Sequence, residues 1–329
     1  MNILSCVACS YYGSGAVTYE YISFVSCLER MGHTVQALDQ ALEAAREKAA
    51  FNDRFLALVK TRRFDCVIVL PHEDEFDPNV LDEAKKYTRI IAWNTDDDWR
   101  WQDYSRHWYP HFTSMVTTYR SVWEANRQQY PGLLLNQWGC TGEHDGSDVS
   151  KTIPVSFVGY GYGERLRYIE VLRGKCGLQA WGRNVYPKRT PGLLLKKALL
   201  RLAGRSLKGD TALDDQAAVK AVMNKSRIVF TPLENSRGTG MQIKARVFDM
   251  GLSGAMMLAS RNPDLYEFYE PGKEYVEYDG LDDCVDKARY YLKHENERVR
   301  IAGNYYARTR KQHLWEHRFT KLFADLGLK

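Results

Sequence analysis

Short apolar runs alternate with amphipathic stretches along the first part of the chain. Five runs have the length of β-strands, at residues 2–9, 33–39, 64–71, 88–94 and 114–119. The third run is continuously apolar over its centre, which is typical of a strand buried on both faces. Helical spacing of apolar residues separates the first four runs, at 17–32, 41–62 and 78–86. Repeated strand–helix units of this length predict a parallel sheet with helices on both faces.

The same pattern restarts near Thr152. The later strand candidates lie at 152–158, 177–182, 226–232 and 254–260, and the helical candidates lie at 164–174, 214–225, 242–252 and 281–294. The polar run GCTGEHDGSDVSK at 139–151 separates the two halves. The sequence therefore predicts an α/β protein with two Rossmann-like domains, residues 1–145 and 150–310.

The end of the chain, residues 295–329, is one long helical pattern. Trp315, Phe319, Leu322 and Phe323 follow one another at the spacing of a helix face. We expect the C-terminal helix, residues 311–329, to pack back on the first domain.

The composition of the chain indicates the class of protein but not its function. Hydrophobic residues make up 44% of the chain and charged residues 26%, so we expect a packed globular protein. No apolar run has the length of a membrane span, and the N-terminus lacks the pattern of a signal peptide. The seven cysteines are an odd number, which favours reduced thiols. We therefore expect a cytoplasmic protein that is at most peripheral to a membrane.

The stretch ENSRGTGMQIKARVFDMGLSG at 234–254 carries the strongest candidate site. It follows a predicted strand, and ligands of open α/β sheets bind beyond the carboxyl ends of strands. We expect a helix to start near Met241 or Gln242. The unpaired amides and the positive end of the dipole at the start of a helix suit a phosphate. The groups that could face this phosphate are the side chains of Ser236, Arg237 and Thr239 and the amides of Gly238 and Gly240.

Gln242, Arg246 and Asp249 would form one polar stripe on that helix. Apolar residues flank the stripe on both sides, which favours a ligand-lining strip over a solvated face. Asp249 could accept hydrogen bonds from ribose hydroxyls, while Arg246 or Arg237 faces a diphosphate. The alternative is a surface ion pair between Arg246 and Asp249, which would contribute only ~0.2–0.5 kcal/mol.

The stretch RVFDMGLSGAMMLASRNPDLYEFYEPGKEYVEYDGLDDCVDKARYYLKHENERVRIA at 246–302 resembles the C-terminal domain of group 1 glycosyltransferases, and among them the CgeB-like group. The segment PVSFVGYGYGERLRYIEVL resembles the start of that group's second domain, and WNTDDDWRWQDYS is more loosely similar to its first domain. The resemblance implies the GT-B fold, in which two Rossmann-like domains face each other across a cleft and the second mainly holds a nucleotide-sugar donor. Asp249 matches the glutamate that grips the donor ribose, whereas Met241 stands where a second, sugar-facing glutamate is expected.

The resemblance implies a glycosyltransferase that moves a sugar from a nucleotide-diphosphate sugar to an acceptor hydroxyl, with no cofactor and no metal. A competing hypothesis is a metal site in TDDDW at 95–99, since paired aspartates can hold a divalent cation. Helix capping by solvated carboxylates is a further alternative. We prefer an acceptor-side role for Asp97 as a base. His72 and Asp74 in LPHEDEFD at 70–77 are further catalytic candidates, and the alternative there is a solvated acidic loop.

Two glycine-rich turns follow predicted first strands. Gly13, Ser14 and Gly15 after the first strand, with Asp39 ending the second, partly match a dinucleotide fingerprint, so an NAD(P)-dependent oxidoreductase is an alternative function. In a transferase, the same residues would line the cleft from the first domain. Gly159 and Tyr160 would do so from the second. Trp181 and Arg183 could stack on or hydrogen-bond a nucleotide base, and the alternative for Trp181 is packing in the core.

The segment PKRTPGLLLKKALLRLAGRSLK at 187–208 has seven basic residues and no acidic residue. It could rest on an anionic membrane and serve a lipid-linked acceptor, or grip the phosphates of nucleic acid. An ordinary packed helix with a solvated face is the third interpretation. A non-catalytic nucleic-acid-binding protein is thus another alternative function, and the chain's net charge of +5 is compatible with each of these partners.

Overall fold

A computed structural model describes residues 1–11, 15–142, 145–185 and 216–328. The chain divides into two compact units. The first unit comprises Met1–Thr141 together with Leu314–Lys329, and the second comprises Gly142–His313. The division after Thr141 falls within the polar run 139–151 that separates the two halves of the sequence, four residues before the predicted end of the first domain at residue 145.

The first unit contains a six-stranded parallel sheet in the order β2-β1-β3-β4-β5-β6. The strands are β1 (Asn2–Val7), β2 (Thr34–Asp39), β3 (Cys66–Val69), β4 (Arg89–Trp93), β5 (Ser114–Thr117) and β6 (Leu133–Leu135). β3 is buried at all four positions, as its continuous apolar run predicts. The short edge strand β6 was not predicted from the sequence.

Helices connect these strands. They are α1 (Tyr19–Tyr21), a π-helical turn (Ile22–Ser26), α2 (Cys27–Arg30), α3 (Gln40–Thr61), α4 (Pro78–Ala84), α5 (Asp97–Arg100), a second π-helical turn (Trp101–Ser105), α6 (Arg106–Trp108), a 3-10 turn (Tyr109–His111) and α7 (Arg120–Asn126). Aspartate caps fix two of the starts. The Asp39 carboxylate accepts a hydrogen bond from the Leu42 amide at 3.1 Å, and that of Asp77 accepts one from the Asn79 amide at 2.8 Å.

The last helix of the chain belongs to the first unit. The predicted helical pattern from 295 onward is two helices, α12 (Glu295–Gln312) in the second unit and α13 (Trp315–Asp325) in the first. The ring of Trp315 lies 4.8 Å from that of Phe24 and 5.4 Å from that of Trp93. The apolar stripe of α13 thus completes the core on one face of the first sheet.

The second unit contains a five-stranded parallel sheet in the order β11-β10-β9-β7-β8. Its strands are β7 (Ile153–Val158), β8 (Leu178–Trp181), β9 (Ser226–Thr231), β10 (Met256–Ser260) and β11 (Val276–Tyr278). Over the described residues of this unit, the helices besides α12 are α8 (Arg165–Cys176), α9 (Gln216–Asn224), α10 (Ala245–Asp249) with a 3-10 turn (Met250–Leu252), a 3-10 turn (Pro263–Glu267) and α11 (Leu281–Lys293).

Each sheet has a point at which the chain reverses the direction of strand addition. In the first sheet this point lies between β1 and β3, and in the second it lies between β7 and β9. Open α/β sheets bind ligands at such switch points, beyond the carboxyl ends of the strands. The loops that follow β7 and β9 are therefore where the second unit is expected to hold a ligand. Among the described helices, none has the length and apolar character needed to cross a bilayer.

Candidate functional site

Two loops flank the switch point of the second sheet. The glycine loop, residues 159–164, follows β7, and the Asn235 loop, residues 232–244, follows β9. Because β7 and β9 are neighbouring parallel strands, both loops leave the same edge of the sheet. Most of the residues that the sequence proposed for donor binding lie on these loops or on α10 immediately after them.

The glycine loop is fixed against the segment that follows β8. The amides of Gly159 and Gly161 donate to the carbonyls of Trp181 and Arg183 at 3.0 and 2.9 Å. A Cβ on Gly161 would lie 2.2 Å from the carbonyl oxygen of Asn184, so only glycine allows this approach.

This rigid turn leaves Tyr160 57% exposed. The guanidinium carbon of Arg183 lies 5.9 Å from the centre of the Tyr160 ring. The sequence proposed Tyr160 and Arg183 separately for the donor site, and the structure brings them together as one exposed aromatic and cationic surface.

Asn235 organises the loop after β9 from within. Its side-chain oxygen accepts hydrogen bonds from the amides of Arg237 and Thr239 at 3.2 and 3.0 Å, and its side-chain nitrogen donates to the Thr239 hydroxyl at 3.1 Å. Its carbonyl accepts from the Gly238 amide at 3.2 Å. Asn235 is 2% exposed, whereas Ser236 and Gly240 are exposed.

These contacts change the predicted phosphate site. The amides at 237–239 already donate within the loop in this conformation, so they are not a ready cradle for an anion. The prediction that a helix starts at Met241 or Gln242 is wrong, because α10 begins at Ala245 with Lys244 as its N-cap. The Gln242 amide instead donates to the Leu233 carbonyl at 2.7 Å, and Glu234 forms an antiparallel bridge with Met241.

Gln242 therefore does not share a helical stripe with Arg246 and Asp249, and that prediction is also wrong. Arg246 and Asp249 do lie on α10, and the Arg246 guanidinium donates to the Asp249 carboxylate at 3.1 Å. The Asp249 side chain is 2% exposed and that of Arg246 is 27% exposed. The pair is consequently not the fully solvated ion pair that the sequence left open as an alternative.

Three residues that sequence reasoning missed converge on one oxygen atom, the Glu234 carbonyl. It accepts from the Tyr162 hydroxyl at 3.0 Å, from the Lys244 ammonium at 2.6 Å and from the Arg165 guanidinium. Lys244 also donates to the Tyr162 hydroxyl at 2.9 Å. The sequence could have indicated these residues only by their position, because Tyr162 and Arg165 come after the predicted strand β7 and Lys244 comes after β9.

In the first unit, the acceptor-side candidates lie after adjacent strands. His72 and Asp74 follow β3, and Asp97 follows β4, so all three lie toward the carboxyl edge of the sheet. Asp74 is paired with Lys48 at 2.8 Å, and its side chain is 79% exposed. The His72 carbonyl accepts from the Arg100 guanidinium.

Asp97 itself is buried, at 1% exposure, and its carboxylate accepts a hydrogen bond from the Ser105 hydroxyl at 2.6 Å. Burial raises the pKa of this carboxyl group to about 6, against the opposing effect of hydrogen bonds from Ser105 and Thr117. In this conformation it is an internal group of the first unit.

The glycine turn of the first unit is only partly described. Gly13 and Ser14 lie outside the described residues, while Gly15 adopts a φ of 67° in the loop after β1. Asp39, which would bind ribose in a dinucleotide site, caps α3 and also accepts from the Ser10 amide at 3.2 Å. This carboxylate therefore has structural partners, which weakens the case for a dinucleotide site.

The basic segment 187–208 lies outside the described residues. Within the part of the chain that the structure describes, no group of three or more His, Cys, Asp or Glu side chains is arranged to hold a metal ion.

Comparison with known proteins places this geometry in context. Residues 180–324 match a family model described as glycosyl transferase-like. The match includes Arg183, the Asn235 loop and α10. Among curated protein sequences, none matches this chain significantly.

Solved structures extend the likeness to both units. An α-glucosyltransferase in complex with UDP-glucose and DNA containing an abasic site has a TM-score of 0.66 at 11% identity, with 99% of each chain covered. HepE from Anabaena, in complex with UDP and glucose, has a TM-score of 0.58 at 12% identity, again with 99% of each chain covered. TarM has a TM-score of 0.57 at 11% identity. The match covers 84% of this chain but only 57% of the TarM chain.

The fold is GT-B. Two parallel sheets of Rossmann-like type, each with a switch point, match these glycosyltransferase structures. The GT-B fold predicted from the sequence is therefore confirmed.

Proposed function

We propose that this GT-B protein is a glycosyltransferase that moves a sugar from a nucleotide-diphosphate sugar to an acceptor hydroxyl. The observation that carries the proposal is the buried Asp249 carboxylate paired with the partly exposed Arg246, within the glycosyl transferase-like segment 180–324. A buried carboxylate beside one arginine can accept strong hydrogen bonds from vicinal hydroxyl groups.

The donor's nucleoside would use two parts of the second unit. Asp249 would accept hydrogen bonds from the ribose hydroxyls, and Arg246 would hold the carboxylate in place and balance its charge. Tyr160 and Arg183 would stack on or border the base, because both are exposed on neighbouring segments that backbone hydrogen bonds hold together.

In the reaction, the bond between the anomeric carbon and the diphosphate oxygen breaks, and the acceptor oxygen bonds to that carbon. Negative charge then develops on the leaving diphosphate, and cationic side chains near the switch point would stabilise it. The acceptor proton would pass to a base, for which His72, Asp74 and Asp97 remain the candidates proposed from the sequence. We propose that the protein needs no metal ion and no cofactor, so activity should survive EDTA.

We infer that the donor is a UDP-sugar, since HepE and the α-glucosyltransferase were crystallised with UDP or UDP-glucose. The acceptor classes remain a glycan, a lipid-linked molecule or a modified nucleobase. The basic segment 187–208 is the feature that would favour the last two.

Isothermal titration with UDP, GDP and NAD tests the proposal. We expect UDP to bind, and we expect Asp249→Ala to weaken binding by about 10- to 100-fold, the effect of removing a charged hydrogen-bond acceptor. Asp264→Ala, which removes an exposed carboxylate from the same segment, is the matched control and should leave affinity unchanged. Binding of NAD with no binding of UDP or GDP would support the oxidoreductase alternative instead.

A further inference from the structure

Three hydrogen-bond donors meet at the Glu234 carbonyl oxygen. Two cationic groups, from Arg165 and Lys244, donate to this one oxygen together with the Tyr162 hydroxyl. A carbonyl oxygen has two lone pairs, so three donors exceed its ordinary capacity. The carboxylate paired with this cluster is that of Glu234 itself, 4.0 Å from the Nε atom of Arg165.

The two cations differ in how firmly they are held. The Arg165 side chain is 7% exposed, donates also to the Pro232 carbonyl at 3.3 Å, and lies 3.8 Å from the centre of the Tyr162 ring. Arg165, the first residue of α8, therefore connects the segment after the glycine loop to the segment after β9. Lys244, in contrast, is only partly buried and has a flexible stem on the last residue before α10.

The Glu234 carbonyl does not depend on Lys244 alone for its hydrogen bonds. The Glu234 carbonyl would keep the Tyr162 hydroxyl and the Arg165 guanidinium, so it would not incur the cost of an unsatisfied polar group. The ammonium group can therefore exchange this carbonyl for a stronger, negatively charged acceptor at the same edge of the sheet.

We propose that Lys244 binds the diphosphate of the donor, exchanging the Glu234 carbonyl for a phosphate oxygen, and that Tyr162 positions it for this exchange. The proposal rests on the proposed glycosyltransferase function and assigns the diphosphate contact to a residue outside the predicted set. Lys244 takes the role of phosphate ligand that the sequence assigned to the amides at 237–240, because the amides at 237–239 donate hydrogen bonds within the Asn235 loop.

Titration of UDP and of uridine into the same variants separates the phosphate contact from the nucleoside contact. We expect Lys244→Met to weaken UDP binding by about 10- to 100-fold and to change uridine binding by less than about threefold. Lys244→Arg keeps the charge and should recover most of the affinity for UDP. Tyr162→Phe should give a smaller loss, again confined to UDP.

Lys225→Met, which neutralises an exposed lysine of the second unit, is the matched control and should not change either affinity. Equal loss of UDP and uridine binding in Lys244→Met would mean that Lys244 only holds the loop together, and would overturn the inference. So would unchanged UDP binding in Lys244→Met when Asp249→Ala weakens it. If the unmodified protein binds neither UDP nor uridine, it is the proposed function that fails.

Discussion

At the scale of single residues, Asp97 is a carboxyl group kept inside the first unit. Its pKa is raised to about 6 because burial penalises the ionised form. The folded protein therefore binds a proton more tightly than the unfolded chain does, and the free energy of unfolding should fall as the pH rises from about 4 to about 6. Above this range, the buried charge should cost up to about 3 kcal/mol.

Asp97→Asn should remove this pH dependence. The amide oxygen can still accept the Ser105 hydrogen bond, while the charge is gone. Urea unfolding at several pH values between 4 and 7, followed for the variant and the unmodified protein, measures the difference. A variant that loses stability at pH 7 would show instead that the ionised carboxylate is needed in the fold.

Sequence reasoning at this scale identified Asp249 but not its environment. Its spacing from Arg246 predicted the pair, whereas its burial depends on packing that a helical wheel does not contain. Asn235 went unrecognised because an asparagine can satisfy neighbouring amides in many loop conformations, and only the path of the chain decides which ones it reaches.

At the scale of elements, the regular parts were predictable and the loop after β9 was not. The apolar runs gave strands such as β3 and β9 because burial on both faces leaves a clear pattern. The helix start was misplaced because the bridge between Glu234 and Met241 prolongs the loop to Lys244. Tertiary hydrogen bonds outweighed the local helical spacing there.

The glycine loop offers a test of how far backbone packing shapes the site. Gly161→Ala would place a methyl group 2.2 Å from the Asn184 carbonyl oxygen, so one of the two segments must move. We expect a loss of about 1–3 kcal/mol in the free energy of unfolding and weaker UDP binding, because Tyr160 and Arg183 would separate.

Gly174→Ala is the matched control for this substitution. Gly174 lies within α8, and apart from its chain neighbours and the backbone of its own helix, no described atom comes within 4 Å of the added carbon. This variant should be more stable by about 0.4–1 kcal/mol, since alanine loses less conformational freedom in a helix. If both variants bind UDP with the affinity of the unmodified protein, and Gly161→Ala has an unchanged free energy of unfolding, the close approach of the two segments has no role in the site.

At the scale of the whole molecule, repeated strand–helix units were enough to predict two parallel sheets. β6 and β11, each with three residues, were missed because so short a run carries no recognisable period. The resemblance of residues 246–302 to group 1 glycosyltransferases then specified GT-B, which periodicity alone could not distinguish from other pairs of Rossmann-like domains.

The last helix of the chain gives the prediction that belongs to this scale. Three side chains of α13 are fully buried in the core of the first unit, those of Trp315, Phe319 and Leu322. In the sequence, 179 residues lie between the end of β6 at Leu135, the last strand of this unit, and Trp315. Trp315→Ala should therefore lower the free energy of unfolding by about 3–5 kcal/mol, the cost of emptying a large aromatic site. Hydrogen exchange should show the loss of protection in β1, β3 and β4, the strands beneath the helix.

Two controls separate this packing from a general effect of substitution. Phe319→Leu keeps most of the buried volume and should cost less than about 1.5 kcal/mol, and Val299→Ala, at a side chain that is 53% exposed, should stay within about 0.5 kcal/mol. A loss below about 1 kcal/mol in Trp315→Ala, with β1 and β3 still protected, would mean that the first unit is stable without its C-terminal helix. The expected result would instead make the first unit a discontinuous domain, one that cannot complete its core until the second unit has been synthesised and α13 has followed it.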